Sequence, residues 1–150
     1  MGTVPAFGGA DQALDMVHAG LGHLAAADAT AMTPDEQARY LRGLEQADAI
    51  LTAARATVLA GFTAAQGYCA DADYSPRAWL MHHTQVTRGA AAAHTAWARR
   101  MVGHRLVLAA MAAGQISESY GRAICQWADK LPEDSREAAD EILLAAAAAG

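Results

Sequence analysis

Aspartate and glutamate are missing from one long stretch of this sequence, Ser75 to Ser117, although sixteen of them occur in its 150 residues. The same stretch holds five arginines (Arg77, Arg88, Arg99, Arg100, Arg105) and four histidines (His82, His83, His94, His104). It carries +5, while the remainder, with six basic and sixteen acidic residues, carries −10. The overall charge of −5 hides this asymmetry. A chain that is acidic on average repels polyanions, yet a local basic face can bind one, because the field near the patch decides. The competing reading is a solvated helix face that pairs with the acidic segments around it.

Other absences narrow the function further. There are two cysteines, Cys69 and Cys125, and no CxxC pair, which speaks against a zinc ribbon or a disulfide framework. The opening MGTVPAFGGADQ has neither the basic nor the apolar region of a signal peptide, and Ala6 breaks the myristoylation pattern. The longest apolar runs, such as Leu106–Ala113, are too short to span a bilayer. A soluble, cytoplasmic protein with no membrane partner is expected. No glycine-rich phosphate loop and no GxSxG motif is present.

The remaining candidates for chemistry are isolated. Asp71 and Asp73 resemble the start of a calcium loop, but the glycine and terminal glutamate of that loop are missing, so they read as ordinary loop acids. His82 and His83 are adjacent, and neighbours on a helix point about 100° apart. His18 and His23 are five apart, and Gly103 separates His94 from His104. None of these pairs has the spacing of three or four that a helical metal site needs. Glu45 and Asp48 share a helix face, and neither cysteine has a matched histidine and acid. No catalytic residue, metal or cofactor is expected.

What is present is alanine, forty residues of it. Alanine forms helices well and fills cores poorly. An all-α single domain is therefore predicted, with closely approaching helices and few large core side chains. Residues 1–10 read as a flexible lead, and residues 11–150 as the domain. Asp11 caps a first helix to about Ala27, with Leu14, Val17, Leu21 and Leu24 as its stripe. Thr33-Pro34-Asp35-Glu36 is a capping box that opens a long spine helix over about 34–66, roughly 50 Å in length. Leu41, Leu44, Leu51, Val58 and Phe62 follow near-heptad spacing along it, a candidate homodimer seam.

Beyond Gly67 and the loop GYCADADY, Ser75-Pro76 starts a short helix to about His83, with Trp79 and Leu80 buried. Thr84-Gln85-Val86 turns the chain, and Thr87 caps a helix from Arg88 to about Met101. Arg88, Ala92, Thr95 and Arg99 share its outer face; Ala90, Trp97 and Met101 lie opposite. The pair, over about 76–101, follows the plan of a helix-turn-helix, without the usual glycine in its turn. Gly103 interrupts the chain, and Arg105–Ala113 forms a helix ended by Gly114. Ser117 caps the next, with Tyr120, Ala123, Ile124 and Trp127 at core spacing. Leu131-Pro132 ends it, and Asp134 or Ser135 opens the last.

The order of these motifs resembles the actinobacterial domain-of-unknown-function family 222, found N-terminal to HNH endonuclease modules. The resemblance covers about 41–144: the spine LRGLEQADAILTAARATVLAGF, the SPRAWL box at Ser75–Leu80, and the Val86-Thr87 turn with its alanine-rich helix. It continues through GQIS at Gly114–Ser117 and the Leu131-Pro132 break. It implies a helical accessory domain that precedes a nuclease module in longer relatives. Such a module needs a His-Asn-His arrangement, and this chain has no asparagine. The AAAAAG ending suggests a truncated chain.

These lines converge on a non-catalytic accessory domain, a nuclease only if a C-terminal HNH module is supplied. DNA is its expected partner, through Arg77, Arg88, Thr95, Arg99, Arg100 and Arg105. Arg88 stands where a recognition helix meets DNA, and Arg77 where a helix start can meet phosphate. The alternative is a structural or dimerisation module built on the Leu41–Phe62 seam.

Overall fold

Side-chain caps at four helix starts show how local chemistry divides this chain. The computed structural model describes residues 8–150, so most of the lead expected at 1–10 lies outside the described residues. The helices are α1 (Ala10–Ala25), α2 (Pro34–Ala64), α3 (Pro76–Thr84), α4 (Arg88–Gly103), α5 (Arg105–Ala112), α6 (Glu118–Ala128) and α7 (Glu133–Ala148). Short 3-10 turns occupy Ala29–Ala31 and Gly67–Asp71, and no strand occurs among the described residues. The fold is all-α, with a long spine helix and shorter helices after it, as predicted. None of these helices is long and apolar enough to cross a membrane. Two compact units are distinguished, one ending at Tyr40 and the other Leu41–Gly150.

In the first unit, α1 buries no residue, and Leu14, Val17, Leu21 and Leu24 are all exposed. Its N-cap is Gly9 rather than Asp11, which falls in the first turn. The start of α2 is the predicted capping box. The Thr33 N–H donates to Glu36 Oε2 at 2.9 Å, and the Glu36 N–H donates to Thr33 Oγ1 at 3.2 Å.

In the second unit the N-cap half of this device recurs, without a reciprocal acid. Ser75 Oγ accepts from the Ala78 N–H, Thr87 Oγ1 from Ala90 and Ser117 Oγ from Tyr120, at 3.1 to 3.2 Å. At the end of α5, Gly114 takes φ +69°. The Gln115 N–H then reaches the Ala110 carbonyl and the Gly114 N–H that of Met111, a Schellman stop that favours glycine. The last helix opens at Glu133, one residue before Asp134, with Pro132 as an N-cap that makes no side-chain cap hydrogen bond.

The core is made of small faces closed over a few large side chains. From α2 it takes Ala49, Ala53 and Ala56, packed with Trp97, Val107, Leu108, Met111, Ile124 and Cys125. A second cluster joins Leu59, Leu80 and Ala91, with Phe62 and Trp79 against them. Burial on α6 corrects the sequence reading. Gly121, Ile124, Cys125 and Ala128 are buried, while Tyr120 and Trp127 are 62% and 65% exposed. Both sets have helical spacing and differ by one residue of phase. The small set wins because a Cβ on Gly121 would stand 2.6 Å from Met111 Sδ. Helices this close leave no room for an aromatic ring. Burial also pushes the Cys125 thiol up to about 12, against the pull of Arg100, which keeps it unreactive at neutral pH.

A buried histidine makes polar contacts across this core. The buried ring of His104, between α4 and α5, has Nδ1 2.7 Å from Asp140 Oδ2 on α7 and Nε2 2.7 Å from Asp129 Oδ1 after α6. Asp140 is itself buried, and its Oδ1 has no hydrogen-bond partner among the described residues. Removing the ring leaves this carboxylate buried and unpaired. His104→Ala is therefore expected to lower unfolding stability by about 3–5 kcal/mol, measured by urea titration. The double variant His104→Leu with Asp140→Leu should recover most of that loss, since no charge is then stranded.

Candidate nucleic-acid interface

Two consecutive helix starts set up the basic surface. Ser75 and Thr87 cap α3 and α4, which puts Arg77 in second place on α3 and Arg88 first on α4. Acidic side chains normally stabilise a helix N-terminus, and neither helix has one in its first turn. The arginine charge therefore adds to the positive end of each helix. An anion is the natural complement of such a pair.

A groove of about 800 Å³ lies between the end of α2, the start of α3 and one face of α4. From α2 it is lined by Ala60, Thr63 and Ala64, and from the loop before α3 by Tyr74 and Ser75. Pro76, Arg77, Ala78, Met81 and His82 line it from α3. Arg88, Thr95, Ala98 and Arg99 line it from α4. No carboxylate lines it, and none pairs with Arg77, Arg88 or Arg99 among the described residues. All three arginines are exposed.

Four of the six residues singled out for DNA contact thus meet in one place: Arg77, Arg88, Thr95 and Arg99. The other two lie apart from it. Arg100 stands over the Trp97 ring at 4.5 Å, on the buried side of α4. Arg105 pairs with Glu137 at 2.7 Å, with both side chains exposed. Such a pair is weak, and the arginine still contributes to the field around it.

The sequence reading missed how the loop before α3 is held. Asp73 is not an ordinary loop acid. It is buried, with Oδ1 2.6 Å from His82 Nδ1 and Oδ2 3.2 Å from His83 Nε2. The adjacent histidines, expected to diverge, both reach this carboxylate, because it approaches the end of α3 from the side and each ring uses a different nitrogen. Trp79 Nε1 donates to Asp71 Oδ2 at 2.7 Å, and its ring stacks on His83 at 4.9 Å. The loop is thus tied down on both sides of Ala72, which has φ +61°. Tyr74, between the anchored Asp73 and the capping Ser75, is 87% exposed at the edge of the groove. The signal for this in the sequence was slight: an aromatic directly before a Ser-Pro cap, with two acids behind it.

No group of three or more histidine, cysteine or acidic side chains is arranged to hold a metal ion among the described residues. Compared with known protein families, with curated proteins and with solved structures, the chain gives no significant match in any of the three.

Beside the groove, on α4, His94 is partly buried. Burial holds its pKa below the usual histidine value, and the charge of Arg55 on α2 adds to the effect. The unfolded chain therefore takes up this proton at a higher pH than the native one. The neutral ring's contribution is complete above the ordinary value of about 6.5 and is lost as pH falls below it. Between about pH 7.5 and 5, His94→Gln should lose less in melting temperature than the unaltered chain.

Proposed function

We propose that this chain is a non-catalytic accessory module that contacts DNA through the groove of Arg77, Arg88, Thr95 and Arg99. The observation that carries the reading is the convergence of three unpaired arginines on a cavity without a carboxylate. All three arginines are exposed and free to meet a ligand, and phosphate matches the planar fork of a guanidinium. The nearest acid, Asp73, is buried against His82 and His83 rather than facing the groove, and exposed charges more than about 10 Å away are largely screened at ordinary salt. The resemblance to family 222 bears on the accessory role alone, with an HNH nuclease as the catalytic partner that would supply cleavage. The test is fluorescence anisotropy of labelled DNA across a salt series. Three phosphates neutralised should give a log–log slope of roughly −2 to −3. Arg88→Ala and Arg99→Ala should each weaken binding and reduce the slope by about one, without unfolding the chain. Absence of binding at low salt with an intact helical spectrum overturns the reading.

A second reading, a homodimer through α2, is favoured by a separate observation. Leu41 and Val58 are 64% and 73% exposed, and Leu44 and Leu51 are also exposed. They form a stripe about 25 Å long on the side of α2 turned from its buried alanines. Phe62 does not belong to this stripe, because its ring packs 4.6 Å from that of Trp79. Light scattering should show a dimer that Leu51→Asp dissociates. A monomer before substitution removes this reading.

A further inference from the structure

We infer that the groove takes an unpaired nucleic-acid strand rather than a duplex. This rests on the reading of the groove as a DNA surface and goes on to name the form of DNA. A recognition helix reads the major groove by projecting its outer face into a channel about 12 Å wide. Here that face of α4 forms one side of a groove. Arg88, Thr95 and Arg99 share one cavity with Ala60 and Thr63 of α2 and Met81 of α3. A single strand can follow this surface with its bases turned toward the protein, whereas in a duplex the bases are already paired and stacked on one another.

The groove also has the two parts that strand binding requires, a track of positive charge and an aromatic platform. Arg88 and Arg99 are eleven residues apart on α4, roughly 16 Å along its axis. That separation suits phosphates strung along a strand better than a single phosphate group. Tyr74 supplies the platform. The residue is 87% exposed. Asp73, held by His82 and His83, and Ser75, held by its cap to Ala78, keep the backbone on either side of it in place. A ring whose backbone is already ordered gives up little entropy when a base stacks on it. The floor, with Ala60, Ala64, Ala98 and Met81, offers further apolar surface to bases.

The deciding experiment compares a labelled 12-nucleotide DNA strand with its duplex, at equal low salt, by anisotropy on the full chain. The strand should bind at least about tenfold more tightly. Tyr74→Ala should weaken strand binding roughly ten- to hundredfold, with Tyr74→Phe close to the unaltered chain, since stacking needs the ring and not the hydroxyl. Tyr74 is exposed, so circular dichroism should show both variants folded. A duplex bound as tightly as the strand overturns the inference and leaves the DNA reading intact. So does strand binding indifferent to Tyr74→Ala, or displacement of the strand by an equimolar mononucleotide. If neither strand nor duplex binds, the DNA reading itself fails.

Discussion

Close approach of helices over alanine and glycine is the constraint on which this structure depends. A buried alanine removes little apolar surface from water, so the core draws its burial from a few large side chains, Trp97, Val107, Leu108, Met111 and Ile124. These fit only where the opposing helix is small, as at Ala49, Ala53 and Ala56 on α2 and at Gly121 on α6. A surface with so little relief also does little to set helix register. Directional polar contacts take over that role. His104 links the α4–α5 junction to Asp129 and Asp140, and Trp97 Nε1 donates to Glu118 Oε1 at 3.1 Å.

The same arrangement explains why the basic face is free. The acids nearest to the basic stretch in space are taken up elsewhere. Asp71 and Asp73 hold Trp79 and the two histidines, Glu118 holds Trp97, Glu137 meets Arg105, and Asp129 and Asp140 hold His104. Arg77, Arg88 and Arg99 are left without a carboxylate among the described residues. Arg77 and Arg88 stand where α3 and α4 begin, so the helix dipoles reinforce them, and Arg99 lies about three turns further along α4. Six of the sixteen acids thus act as internal support, and none of them pairs with the arginines of the groove.

Phase is where the sequence misleads. On α6, Tyr120 and Trp127 have the right period for a core and lie outside it, one residue out of step with Gly121 and Ala128. On α2 the leucines at heptad spacing are exposed, and the alanines beside them are buried. Large apolar residues usually mark the inside, but that rule assumes helices far enough apart to hold them. Here the separation is set by the small residues, and the large ones are excluded from the contact. His82 and His83 mislead in another way. Their directions on the helix are right, but a carboxylate from a loop can meet two diverging rings where a metal ion at one point could not.

What the sequence determined by itself is local: an all-α chain, helix starts at Thr33, Ser75, Thr87 and Ser117, a stop at Gly114, and a charge-segregated middle. Caps and turns join atoms within a few residues of one another, so their chemistry can be read in a short window. Only the tertiary structure decided which helix faces meet and which arginines share a groove. It also placed Tyr74 at the groove's edge through Asp73, with His82 nine residues away in the chain. Those outcomes depend on how closely helices pack in space, and that distance is set jointly by side chains remote in sequence.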